Sequence, residues 1–231
     1  NNLTPADSSG NSYFSEELLH SRMFFNKRIP KTPGVYQLEF YVFPDKYDPE
    51  RKRLPDLRSA AEEALSLYPE PGPLTDFYFP DIYYTNTSFR GVNDNRNVMM
   101  QLWRSGLIHF IANFSQEENQ TVSFRLLSQF LSRAVVFAAG YYAALGFADE
   151  MLSLNFRMEN SEEMILSAPD NVSGKCRIPE ILVHQNRTAS DLSSDKKFHA
   201  EKLLRSVSER FNFIPSEENY FRESVKRSLK K

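Results

Sequence analysis

The longest patterned stretch of the chain runs over residues 121–147. Leu127, Phe130/Leu131, Ala134, Phe137/Ala138, Tyr141 and Leu145 recur there at the three-or-four spacing of a helical face. Over 134–146 the other positions are apolar too, which predicts a helix enclosed by protein on all sides. Thr121 or Ser123 can supply the N-cap oxygen. Arg125 and Arg133 interrupt the run too early for a membrane span, which needs roughly 20 apolar residues. Ala138, Ala139, Gly140, Ala143 and Ala144 keep one side of the helix thin, so a sheet or a second helix can approach closely.

The segments around it alternate between helical and extended patterns. A helix is predicted over 15–25, with Ser15 as N-cap, Leu18/Leu19 and Met23 at helical spacing, and a stop before Pro30. Over 35–43, Tyr36, Leu38, Phe40 and Val42 share one face of a strand. Gln37 and Glu39 make the other face half polar, as expected of a strand near an edge or a cleft. A second helix over 56–68 has Asp56 as cap and Leu57, Ala61, Ala64/Leu65 and Tyr68 inward, and PEPGP ends it. The aromatic stretch 77–84 contains Pro80, which confines it to an edge strand or an irregular segment.

Residues 98–103 and 107–114 read as a hairpin about a turn at 104–106, and 151–158 with 163–168 as another. Residues 169–175 read as loop and 181–184 as a strand. A helix over 195–211 turns Ala200, Leu203/Leu204, Val207 and Phe211 inward, and Phe221, Val225 and Leu229 mark a short last helix. The architecture expected is α+β, a mostly antiparallel sheet of hairpins packed on the long central helix (about 121–146) and a C-terminal helix. Paired hairpins argue against a doubly wound parallel sheet. A polar 1–12 linker precedes a single domain over 13–231.

Composition adds weight to a packed body: 19 Phe and 11 Tyr stand against only 8 Gly. The single cysteine, Cys176, permits no internal disulfide. With no targeting signal in the polar N-terminal stretch, the reading is an intracellular, cytoplasmic chain with no membrane association. The net charge of -2 is unevenly spread: 196–231 holds ten Lys/Arg and five Asp/Glu, or +5, leaving -7 for the rest.

Candidate chemistry is sparse. His20, His109, His184 and His199 share no close spacing with one another or with Cys176, so no metal site is assigned. His109 alternates between Ile108 and Phe110 and reads as a satisfied histidine on the sheet surface. Cys176 reads as an incidental loop cysteine, although Lys175 and Arg177 would favour its thiolate. Nucleophile elbows and glycine-rich phosphate loops are absent from the sequence, and no catalytic residue or cofactor is assigned. The adjacent acids, such as Glu62/Glu63 and Glu162/Glu163, read as solvated faces or turns.

The segment 83–96 is the richest. It is read as a long loop in which Arg90 and Arg96 could grip an anion, Tyr83, Tyr84 and Phe89 could stack, and Asn93 and Asp94 supply polar contacts. Its bland counterpart is a solvated loop whose Asn and Asp satisfy their own turns. The basic C-terminal segment, with Arg222, Lys226, Arg227, Lys230 and Lys231, is the candidate surface for nucleic acid.

Four segments, QLWRSGLIHFIANF, FLSRAVVFAAGYYAALGFADEMLSLNF, IPEILVHQNR and AEKLLRSVSERFNF, carry a family resemblance. Through Trp103, Arg104, Gly106, Tyr142, Leu145, Gly146, Pro179 and Glu180, the stretch from roughly 99 to 213 resembles the region downstream of the AlbA-like domain in bacterial Schlafen-type proteins, which are associated with DNA and ATP binding. The AlbA-like domain itself is not recognisable in this sequence. The resemblance therefore implies a setting, a sensory or assembly module of a nucleic-acid-linked regulatory or defence protein, and hands over no catalytic residues.

The expectation is a non-catalytic binding or interaction module whose partner is a protein or small ligand, with homo-oligomerisation in view. One alternative is a nucleic-acid-binding domain using the basic C-terminal segment and the 90–96 loop. The other is a hydrolase-type enzyme with an unrecognised site.

Overall fold

The side-chain period of an extended strand decides the architecture, because it puts Tyr36, Leu38, Phe40 and Val42 of the strand β1 (Val35–Pro44) on one apolar face on which a core can form. The computed structural model describes residues 10–66, 81–115, 120–170 and 172–230. After β1 come β2 (Asp81–Tyr84), β3 (Ser88–Asn93), β4 (Val98–Trp103), β5 (Ile108–Ser115), β6 (Thr121–Ser123), β7 (Met151–Glu159), β8 (Ile165–Ser167), β9 (Ser173–Lys175) and β10 (Glu180–Thr188). Seven of them form one antiparallel sheet in the order β10-β7-β1-β5-β4-β3-β2, and β6, β8 and β9 form a small second sheet.

One face of the large sheet is apolar from edge to edge. Leu38, Phe40 and Val42 stand opposite Ala112, Phe110 and Ile108 on β5, and opposite Met158, Phe156 and Leu154 on β7. The central helix α3 (Phe124–Ala144) lies on this face among α2 (Leu54–Ser66), α5 (Lys196–Glu209) and α6 (Tyr220–Ser228). Each such side chain removed from water contributes about 2 kcal/mol. The helix α3 packs against both α2 and α5. The helix is continuous and its alanine- and tyrosine-rich half is mostly enclosed, but not on all sides as its sequence predicts: Ala143 is exposed and Gly140 and Ala144 are half-buried, and Thr121–Ser123 forms β6 rather than a first helical turn. Ser123 occupies the N-cap position without a capping side-chain bond.

The opposite face is covered in part by α1 (Gly10–Arg28). This helix begins before Ser15, and its inward residues are Phe14, Glu17, Leu18, Ser21 and Phe25, while Leu19 and Met23 are exposed. A half-polar inner stripe hides such a face from a search for apolar periodicity. In α2, Asp56 sits one turn in, where its carboxylate accepts from the backbone and guanidinium of Arg53. Leu57, Ala61 and Ala64 are buried as expected, α5 buries Ala200, Leu203, Leu204 and Val207, and Phe211 is buried just beyond the end of that helix. Tyr68, the PEPGP stretch, residues 77–80 and Lys231 lie outside the described residues, as does most of the 1–12 linker.

Three expectations are corrected. Strand β1 is at the centre of the sheet, not near an edge, so Gln37 and Glu39 are buried. Residues 151–158 and 163–168 do not pair: β7 joins β1 and β10, while β8 lies parallel to β6 and antiparallel to β9, which occupies part of the supposed 169–175 loop. Residues 83–96 form β2, β3 and a single tight helical turn (Asp94–Arg96) instead of a long loop. Asn and Asp supply turn chemistry only at its end, where Asn93 accepts from the Arg96 amide and Asn97 takes a left-handed conformation at φ 53°. No helix among the described residues is long and apolar enough to cross a membrane.

Candidate functional site

The sheet register lines up one residue from each strand across the face that α1 covers: Tyr83, Arg90, Gln101, His109, Tyr41, Asn155 and His184. A fully polar row on a covered face is costly unless its members bond to one another or to the helix above. Gln101 does both. Its Oε1 accepts from Ser21 Oγ at 2.6 Å and from Arg90 Nε at 3.0 Å, and its Nε2 donates to Ser88 Oγ at 2.8 Å. Arg90 is only 8% exposed, and its guanidinium lies 3.7 Å from the centre of the Phe24 ring.

Next to this row Glu39 is the hub of a charged network. Its Oε2 accepts from Arg22 Nε at 2.7 Å and lies 3.3 Å from His109 Nε2, and its Oε1 is 3.5 Å from Arg157. Arg157 also donates to Glu180 at 2.6 Å and pairs with Glu159, which Lys31 holds at 2.8 Å. Burial works to raise the Glu39 carboxyl, but His109 and Arg22 outweigh it and hold the group at about 2. Burial dominates for His109 and lowers the proton affinity of its ring below the ordinary imidazole range, against the pull of Glu39. His109 is thus a closed-in residue and not the satisfied surface histidine its strand position suggests: neither ring nitrogen has an aligned hydrogen bond among the described residues.

At the C-terminal end of α1 the polar layer opens into a cleft of about 280 Å³. Arg28, Ile29, Pro30, Thr32, Val35, Asp94, Asn97 and Asn113 line it. Pro30 stops the helix here, leaving the negative end of its dipole at the cleft wall. Arg28 is clamped by three partners from β2 and the β3–β4 turn. Its Nε and Nη2 donate to Asp94 at 2.8 and 2.7 Å, Nη2 also reaches Asp81 at 2.5 Å, and Nη1 donates to the Tyr83 phenol. Arg28 in turn holds the Asp94 carboxyl below its ordinary range. The buried Asn113 accepts from Gln37 at 2.9 Å and donates to the Ile29 carbonyl at 3.4 Å, which fixes its amide beside the cleft.

The residues expected to form one site are therefore divided. Tyr83 and Asp94 meet at Arg28, and Asn93 caps the turn beside them. Arg96 lies exposed on that turn. Strand alternation sends Arg90 under α1, while Phe89 joins the main core and Tyr84 stacks edge-on against it at 5.5 Å. Arg90 thus cannot offer its charge to an anion at the surface. On α6, Phe221 and Val225 are buried and Arg222, Lys226 and Arg227 are exposed, as is Lys230 just past its end. Arg222 pairs with Glu201 and Lys226 with Glu223. Cys176 is fully buried, so it is no exposed loop thiol.

Sequence reasoning missed Arg28, Asp81 and Asn113. Arg28 gave a usable signal, since a basic residue one turn before a proline marks a helix end, but its partners lie 53 and 66 positions away. Of the residues that carry the resemblance, Tyr142 donates to the Gly106 carbonyl, and Lys52 bridges Arg104 and Leu145, accepting from Arg104 Nε through its carbonyl and donating through Nζ to the Leu145 carbonyl. Of that set Gly146 lines a second cleft of about 360 Å³, together with Arg51, Lys52 and the stretch from Phe147 to Glu150. No family model matches this chain, and no match to it is found among curated proteins.

Proposed function

We propose that this chain is a non-catalytic binding module that takes a basic side chain of a partner protein, a guanidinium or ammonium group, into the cleft at the end of α1. The observation that carries this reading is the Arg28 clamp. One guanidinium faces the two carboxylates of Asp81 and Asp94, which leaves one negative charge beside a cleft bordered by a helix C-terminus. The cleft is smaller than the roughly 300–1,000 Å³ of drug-sized sites and suits a single side chain. Glu39 and His109 have the residue types of an acid–base pair, but they are 2% and 0% exposed and the carboxylate is already held by two arginines. Substrate has no access to them, which favours binding over catalysis. A sensory or assembly role beside another domain accords with this.

Titration of the isotope-labelled chain with N-acetyl-arginine amide, followed by amide NMR shifts, tests the reading. Saturable shifts centred on Thr32, Asn97 and Asn113 are expected, with N-acetyl-glutamate amide producing none. Equal shifts from both compounds, or no saturation with either, would overturn it.

A further inference from the structure

The strand β10 ends the large sheet, and no strand among the described residues pairs with its outer side. It is nine residues long and pairs with β7 without interruption from Glu180 to Thr188. Exposed edges of natural sheets are usually shortened, bulged or guarded by proline or lysine. Strand β10 contains neither residue and has no bulge. The opposite edge, β2, has four residues.

The side chains along β10 favour its own copy. Leu182 is 52% exposed, and Ile178, just before the strand, is 37% exposed. Glu180 and His184 flank Leu182 on the same face, two residues to either side. We infer that β10 pairs antiparallel with β10 of a second copy about a two-fold axis at Leu182, which joins two seven-stranded sheets edge to edge. In that register the two Leu182 side chains cover each other. Glu180 of each copy faces His184 of the other, so the acid and the imidazole complement one another twice across the seam. The free backbone donors and acceptors of both edges are satisfied together. This pairing is independent of the cleft at the end of α1.

Sedimentation of the full chain across a concentration series tests it, together with two substitutions. The wild-type chain is expected to reach twice the chain mass. Leu182→Lys places like charges opposite one another and should weaken the dimer about tenfold or more while leaving the far-ultraviolet spectrum of the chain unchanged. Leu182→Cys should give a covalent dimer on mild oxidation, since facing residues of an antiparallel pair lie within disulfide reach. Leu19→Cys, on the exposed side of α1, should not, and the native Cys176 is buried and silent. The cysteine pair decides the matter even where lysine disturbs the fold. Chain mass at every concentration, or equal cross-linking of the Leu182 and Leu19 variants, would overturn the inference.

Discussion

Glu39 and His109 sit diagonally across neighbouring strands, with Oε2 and Nε2 3.3 Å apart and both side chains closed to solvent. Arg22 from α1 and Arg157 from β7 complete the grip on the carboxylate, so a single buried charge ties the helix to the centre of the sheet. Breaking such a set from one side leaves the remaining charges uncompensated.

Acid should therefore loosen α1. The Glu39 carboxyl is held at about 2 in the fold against an ordinary 4.5, so its contribution is complete above pH 4.5 and disappears as pH falls towards 2. That difference corresponds to about 3 kcal/mol. In Glu39→Gln, urea unfolding at pH 7 should show a loss of about 3 kcal/mol, and stability should no longer decline between pH 4.5 and 2 through this group. An unchanged acid limb in the variant would contradict the assignment.

Glu17 should act in the opposite sense. It is buried under the first half of α1, where Ser105 Oγ lies 2.6 Å away and the Tyr47 hydroxyl 3.1 Å, and burial pushes its carboxyl up to about 7. The folded chain keeps this proton more tightly than the unfolded one. The contribution of Glu17 to stability is greatest below pH 4.5, falls as pH rises to 7 and then levels off. Glu17→Gln removes that decline and should stabilise the chain at pH 8 by about 1–3 kcal/mol, measured by denaturant titration at pH 5 and pH 8. A variant less stable at pH 8 than the wild-type chain would exclude this behaviour.

Tyr142 pins the end of α3 to the sheet. Its buried hydroxyl shares its proton between the carbonyls of Gly106 at 2.7 Å and Val42 at 2.9 Å. Gly106 itself is at φ +95°, where a Cβ would meet Pro44 at 3.3 Å, so the turn that presents this carbonyl depends on glycine. Tyr142→Phe should cost about 1–2 kcal/mol in thermal or urea unfolding without changing the far-ultraviolet spectrum. No loss would mean that the carbonyls find other donors.

The core was legible in the sequence because apolar periodicity reports burial against apolar surroundings. The α3 stripe, the β1 alternation and the β4–β5 hairpin all follow from it. The α1 face was not legible, since Glu17, Ser21, Glu39, Gln101 and His109 are polar residues buried among partners from distant parts of the chain, and polarity in a sequence reads as exposure. The same logic misread 83–96. Its Asn, Asp and Arg content suggested a solvated loop, whereas alternation at Tyr83, Arg90 and Phe89 describes two strands of a sheet with one polar, covered face. Tyr83 and Asp94 of the candidate site could be named in advance, but their partner Arg28 lies at the end of a helix far away in the chain. Long-range ion pairs leave no local pattern.

The measurement closest to the central claim is the affinity for N-acetyl-arginine amide of the wild-type chain and of Asp94→Asn, compared at equal melting temperature. Asp94 lines the cleft and is about half exposed, so the substitution removes charge without opening the core. Saturable binding is expected that weakens about fivefold or more in the variant, a coupling of at least about 1 kcal/mol. Identical affinities in the two chains, or binding to neither, would contradict it.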